Sequence, residues 1–346
     1  MSRTLKMATV LCFAAAVPAG GGVAMAQEHP PIRVPAMWEY SAPLIGPQVN
    51  DSLGTIARKD PSVVYHAGRW HLFTTVKLPG RTATEYCSFA RWEEADRAPR
   101  TILQISDSDY YCAPQVFYFS PHRQWYLVYQ MGVPGAEKMW VAYSTTGDLA
   151  DPSSWTGAAP ILDGGPDDPR PEGGLDYWII CDEERAYLFF TSLNGKMWRT
   201  STRLEDFPRG FGPCEVALAA SIFEASHTYR LKGSTQYLTI VEENGQRYYK
   251  AYLADRLDGP WTPLADTADR PFAGWANLRP APGVEAWTDN VSHGELVRDG
   301  NDQTMTVDPD RLRFVFQGVL EKEKAGRGYG QFPWRIGLLT PAEPLR

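Results

Sequence analysis

A hairpin unit that recurs five times constrains this chain more than any other feature. The first unit is Asp60-Pro61-Ser62-Val63-Val64-Tyr65, a turn at His66-Ala67-Gly68, and a return through Trp70-His71-Leu72-Phe73. β-Branched and aromatic residues on both sides of a Gly-bearing turn read as two paired strands. Comparable pairs of runs follow at 113–119 with 125–129, 176–181 with 187–190, 224–229 with 237–241, and 293–297 with 304–307. The units begin roughly 50 to 70 residues apart, room for four short strands each. Further strand candidates fill the gaps at 139–144, 196–200 and 248–253, and helical periodicity is confined to 91–96. This pattern predicts an all-β chain folded as a five-bladed β-propeller. A β-sandwich with irregular strand spacing is the alternative.

A propeller has a consequence for chemistry. The innermost strand of each blade lines the central axis, so residues at the starts of those strands share one mouth. Asp60, Asp176, Glu224 and His293 start four of the five units and are expected to converge there. Three acids at an aqueous mouth are the ingredients for cleaving a glycosidic bond. An inverting glycosidase needs one carboxylic acid to protonate the leaving oxygen and one carboxylate to activate water. A third carboxylate near the acid keeps it protonated by like-charge repulsion. Taken singly, an Asp or Glu at the start of a strand is more often an ordinary turn or edge residue.

Other classes are disfavoured. The formal net charge is -7 and there is no long basic run, which argues against nucleic acid. The 12 Trp and 17 Tyr suit strand cores first and sugar platforms second. Arg3 and Lys6 precede an apolar stretch at 7–17 and a small-residue segment ending Ala24-Met25-Ala26. This reads as a secretory signal peptide over 1–26, cleaved near Ala26, leaving 27–346 as one catalytic propeller that is extracellular or periplasmic. The apolar stretch is too short to span a membrane as a helix, and no other is apolar enough. Cys87, Cys112, Cys181 and Cys214 remain after cleavage, and three fully paired schemes are open to them. Cys181, in an apolar run, reads as a small buried thiol. The breaker-rich stretch 160–174 reads as a long loop, and the charged run 321–324 as a solvated face. A lead-in at 27–58 offers Trp38 and Tyr40 as packing anchors, and 336–339 reads as a strand completing a blade.

The same stretches resemble the α-L-arabinofuranosidases of glycoside hydrolase family 62, from about residue 43 to 341. The likeness is carried by Lys59-Asp60-Pro61-Ser62-Val63-Val64-Tyr65, Ala113-Pro114-Gln115-Val116-Phe117-Tyr118-Phe119, Trp178-Ile179-Ile180-Cys181-Asp182, Phe223-Glu224-Ala225-Ser226, Ser292-His293-Gly294-Glu295 and Asp302-Gln303-Thr304-Met305-Thr306-Val307. The resemblance implies a five-bladed propeller that removes arabinofuranosyl branches from arabinoxylan or its oligosaccharides with inversion, acting as a monomer with no organic cofactor. It implies Asp60 as general base, Glu224 as general acid and Asp176 as the acid that tunes and orients Glu224. It places Lys59, Gln115 and Glu242 around the arabinose pocket, with Asn290 and Gln303 near its centre and Tyr329 against the xylan chain. It associates His293 with one structural calcium ion, whose shell water would complete because calcium prefers oxygen. The chain departs from the family pattern at Asn290, where an acid is common, at Asp310, where a Cys is common, and over 170–175. A β-xylosidase or arabinanase on the same architecture, and a non-catalytic sugar-binding propeller, are the alternatives.

Overall fold

The computed structural model describes residues 32–47, 53–245 and 247–345. The expected signal peptide lies outside the described residues. Five sheets of mainly antiparallel strands carry the fold, and they are the blades of a β-propeller. Blade 1 runs Ala57–His66, Arg69–Leu78, Arg81–Phe89 and Arg100–Ile102; blade 2 runs Tyr111–Phe119, Gln124–Met131, Trp140–Thr146 and Ala159–Leu162. Leu175–Cys181, Arg185–Thr191, Lys196–Arg203 and Glu215–Ala219 make blade 3. Blade 4 is built on His227–Leu231, Tyr237–Glu242, Tyr249–Ala254 and Thr262–Thr267.

Blade 5 is assembled from both ends of the chain. Ser292–Leu296 pairs with Phe314–Gly318, which pairs with Arg335–Pro341, and Trp38–Tyr40 then adds antiparallel to that strand. Leu278–Pro280 closes the sheet in parallel with Trp38–Tyr40. Trp38 is fully buried and its indole N–H donates to Phe272 O at 2.6 Å, so the lead-in anchor fastens the ring shut. The expected pairing of 293–297 with 304–307 is not formed. Thr306–Val307 instead adds in parallel to the inner strand of blade 4, through Arg230 and Leu231. The chain leaves the sheet of blade 5 after Leu296 and rejoins it only at Phe314, running in between past the ends of the inner strands at Tyr118, Cys181 and Arg230, an excursion that hydrophobic patterning alone does not reveal. Likewise the start of the loop expected over 160–174 belongs to Ala159–Leu162, the outer strand of blade 2, and 91–96 falls largely in the 3₁₀ turn Trp92–Arg97.

Inner strands are sandwiched between neighbouring blades and read as continuous apolar runs. Along Leu175–Cys181 only Leu175 is not fully buried. Each fully buried side chain of this kind stabilises by about 1.5–3 kcal/mol. The Cys87, Cys112, Cys181 and Cys214 thiols are all free. No helix among the described residues is long and apolar enough to cross a membrane.

One end of the axis is closed by a buried ion pair. Arg298 Nε donates to Glu295 Oε1 at 2.9 Å, and Nη2 donates to Val63 O at 3.0 Å and Val116 O at 2.8 Å. The pair therefore ties blade 5 to the inner strands of blades 1 and 2. Both side chains are at most 1% exposed.

Candidate active site

The inner strands share a local irregularity that builds the site. The pairing register slips between Lys59 and Ser62 in blade 1, Cys112 and Gln115 in blade 2, Leu175 and Trp178 in blade 3, and Ser292 and Gly294 in blade 5. At three of these slips the backbone turns left-handed, with φ at 49° for Asp60, 52° for Ala113 and 55° for Asp176, and Ala225, just ahead of the inner strand of blade 4, does the same at 53°. Such a residue costs about 1–3 kcal/mol and persists where the surroundings over-determine it. A bulge of this kind re-aims side chains. Here it turns the two residues at the slip toward the open mouth of the propeller. Lys59, Asp60, Cys112, Asp176, Glu224 and His293 thereby line one cavity of about 490 Å³, with Tyr329 on its wall.

Each bulge frees a backbone N–H that must be satisfied, and a latch from a neighbouring strand does so. Asp60 N donates to Gln317 Oε1 at 2.9 Å, Ala113 N to Thr75 Oγ1 at 2.9 Å, Asp176 N to Gln130 Oε1 at 3.1 Å and His293 N to Glu242 Oε2 at 2.9 Å. The four acceptors occupy one equivalent place, near the end of the second strand of the preceding blade. A buried N–H left unpaired costs about 1–3 kcal/mol, so these latches hold the strained backbone in place. At the seam between blades 3 and 4 the latch differs. Thr191 occupies the equivalent place, but Ala225 N donates instead to Asp176 Oδ2 at 3.0 Å, and the buried Thr191 hydroxyl has no partner among the described residues. The Asp176 carboxylate is thus fastened to the residue that follows Glu224.

The three acids sit in different electrostatic surroundings. Burial works against ionisation of Asp60, but the charges of Lys59 and His293 and a Thr75 hydrogen bond outweigh it and hold Asp60 below the usual carboxylate range. Lys59 Nζ lies 3.8 Å from Asp60 Oδ1. Burial, then the negative charges of Glu242 and Asp176, raise Glu224 well above the ordinary Glu value, against the opposing pull of Arg247 and Lys59. Asp176 is raised too, by burial first, with His293 opposing and Asp60 adding to the shift. One carboxyl is therefore kept as a base and another as an acid on the walls of one cavity. That is the pairing of environments by which acid and base roles separate.

The approach to Asp176 is clasped. Arg170 Nε donates to Asp168 Oδ1 at 2.9 Å, Nη2 donates to Met139 O at 2.9 Å, and Nη1 bonds the Tyr177 hydroxyl. Tyr177 in turn donates to Gly174 O at 2.7 Å. The loop after Leu162 thus fixes Leu175 and Met139, both on the cavity wall.

Several expected site residues lie elsewhere. Gln115 spends its amide on blade 3: Nε2 donates to Ile179 O and Oε1 accepts from Ile179 N, both at 2.7 Å. It clamps two inner strands and does not line the cavity. Gln303 sits at the opposite end of the inner strands, where its Oε1 accepts from Ser120 N at 3.1 Å and its carbonyl from Cys181 N at 2.8 Å. Asn290 is buried, and its Nδ2 donates to Val319 O at 2.8 Å and Asp289 Oδ1 at 3.0 Å. Glu242 is fully buried behind the wall, as a latch. Sequence reading missed the latches Thr75, Gln130 and Gln317, and also Arg247, whose Nη1 lies 3.2 Å from Glu224 Oε1. The latches leave a faint signal: Tyr129-Gln130, Val241-Glu242 and Phe316-Gln317 each place a polar residue after an apolar one near the end of the second strand.

A cation at the centre of the cavity would meet His293 and the carboxyls around it. His293 Nδ1 lies 3.4 Å from Asp60 Oδ1 and 3.6 Å from Asp176 Oδ2, an orientation by carboxylates that metal-ligating histidines commonly show through their other nitrogen. Asp176, Glu224 and His293 bring one donor atom each to within 4.8 Å of one another. Two of these are carboxyls turned into the cavity, so the set fits an ion held by His293 that keeps most of its water.

Comparison with known proteins then decides the family. The sequence model of Glycosyl hydrolase family 62 matches residues 41–340. This chain belongs to glycosyl hydrolase family 62. It is a glycoside hydrolase by that membership. The family 62 chain is 37% identical over 318 residues to alpha-L-arabinofuranosidase C of Cellvibrio japonicus (strain Ueda107), covering 89% of this chain and 47% of that protein. It thus spans about half the length of that relative. The catalytic domain of the Coprinopsis cinerea GH62 alpha-L-arabinofuranosidase superposes with a TM-score of 0.81 at 38% identity, covering 89% of this chain and 98% of that one. A GH62 hydrolase in complex with xylotriose superposes with a TM-score of 0.79 at 35% identity, covering 88% and 98%.

Proposed function

We propose that this family 62 hydrolase is a secreted, inverting α-L-arabinofuranosidase that removes arabinofuranosyl side chains from arabinoxylan. The observation that carries the reading is the opposed treatment of Asp60 and Glu224 in one cavity. Asp60, kept ionised by Lys59 and His293, takes a proton from water as that water attacks the anomeric carbon. Glu224, kept protonated by burial, Glu242 and Asp176, gives its proton to the oxygen that leaves with the xylan chain. Asp176, latched to Ala225 N, holds negative charge close to Glu224 and sets its orientation. A cavity of about 490 Å³ suits a single sugar ring with water, which favours cutting terminal branches over cutting within a chain. Xylotriose bound by a relative supports a xylan backbone as the aglycone. A calcium ion at the centre would be held by His293 and water and would supply fixed positive charge there.

The test is product analysis on two polymers. Free arabinose from arabinoxylan with little release from linear arabinan is expected. Arabino-oligosaccharides from linear arabinan would overturn the reading in favour of an arabinanase.

A further inference from the structure

We propose that Arg247 is a positioning residue for Glu224: clamped between Glu242 and the Phe223 ring, its guanidinium fixes the Glu224 carboxyl for proton delivery to the leaving oxygen. This rests on Glu224 being the general acid. Arg247 lies in the connection between the second and third strands of blade 4, with φ at 57°. Its side chain is only 15% exposed. Nη1 lies 2.7 Å from Glu242 Oε1 and 3.2 Å from Glu224 Oε1. The guanidinium carbon sits 4.1 Å from the centroid of the Phe223 ring.

The anchoring chain runs outward from the acid. Glu242 is fully buried and accepts from Ser292 Oγ at 3.1 Å and His293 N at 2.9 Å, so blade 5 holds it in place. Arg247 is held by Glu242 and by the flat face of Phe223. The Glu224 backbone is fixed, because Glu242 N donates to its carbonyl at 3.0 Å. Its carboxyl, on a flexible stem, has Arg247 as its protein hydrogen-bond partner among the described residues. The shorter contact goes to Glu242, so Arg247 orients Glu224 while its charge is chiefly matched elsewhere. A lysine could neutralise Glu242, but a point-charge ammonium does not lie flat on a ring and reach two carboxylates at once.

Leaving-group dependence tests the assignment. Arabinoxylan loses a sugar alkoxide that needs a proton, whereas 2,4-dinitrophenyl α-L-arabinofuranoside loses a phenolate that does not. Kinetics on both substrates are compared for the full enzyme and for Glu224→Gln, Arg247→Lys and Arg247→Met. Glu224→Gln is expected to lose roughly 10²–10⁴-fold on arabinoxylan and far less on the aryl glycoside, the size of acid catalysis. Arg247→Met is expected to follow the same pattern, falling up to roughly 10²-fold in kcat on arabinoxylan as a misplaced group does. KM should stay nearly constant. Arg247→Lys should fall between, and it carries the test if Arg247→Met does not fold. Equal losses on both substrates in the Arg247 variants, with Glu224→Gln selective, would overturn the Arg247 proposal alone. Equal losses, or none, in Glu224→Gln would overturn the acid assignment and the proposal with it.

Discussion

Replacing Arg298 by methionine probes the closed end of the axis. The guanidinium neutralises Glu295 and gives hydrogen bonds to Val63 O and Val116 O, all in a region at most 1% exposed. Removing one partner of a buried ion pair costs about 3–5 kcal/mol, because the other charge stays buried and unpaired. Unfolding entropy near 2.1 cal/mol/K per residue over about 300 folded residues is about 0.6 kcal/mol/K, so the thermal midpoint should fall by about 5–8 °C. The loss should also depend on pH. Burial already holds Glu295 above the usual Glu value despite Arg298, so in Arg298→Met the carboxyl escapes part of the penalty by taking up a proton. The deficit should therefore grow as pH rises and shrink as pH falls. The assay is thermal unfolding followed by circular dichroism at several pH values, with Glu295→Leu/Arg298→Met as control. The double variant removes both charges and should recover much of the loss. A midpoint for Arg298→Met within about 1 °C of wild type at neutral pH would refute the claim that this pair staples three blades together.

Three further outcomes follow from the site and its approach. Asp60 must be ionised, so kcat/KM should hold to acid pH below the usual Asp value; Glu224 must be protonated, so activity should fall only as pH rises through its elevated pKa. Asp176→Asn removes one of the charges raising Glu224 while keeping an acceptor for Ala225 N, so the alkaline limb should move to lower pH; an unmoved limb contradicts the tuning role. Gly174→Ala would drive a Cβ into the Phe190 ring just before Leu175 and Asp176. It should cost about 1–3 kcal/mol of stability as overpacking does, seen in denaturant unfolding, and lower kcat, whereas a neutral result would show the loop yields without moving Asp176.

The sequence made the site legible where chemistry rode on the repeat. Asp60, Asp176 and His293 recur at the starts of apolar runs, and propeller geometry alone brings them together. Glu224 was found for the same reason, although it stands one residue before the left-handed Ala225 and ahead of the strand itself. The remainder needed three dimensions. Gln115 is expected at the pocket from the family resemblance of its stretch, yet past the bulge between Cys112 and Gln115 its amide is spent on Ile179. Gln303 belongs to an excursion whose return strand begins only at Phe314, so its true position at the far end of the axis carries no periodic signal. Arg247 sits outside any strand pattern, and its role emerges only when blades 4 and 5 pack Glu242 behind it.

In the proposed mechanism Asp60 directs water to the face opposite the leaving group that Glu224 protonates. Proton NMR of arabinoxylan during the first minutes of hydrolysis tests it most directly. Free arabinose should appear first as the β-anomer and then mutarotate. Arabinose appearing first as the α-anomer would mean retention through a covalent intermediate and would contradict the assignment of Asp60 as a base.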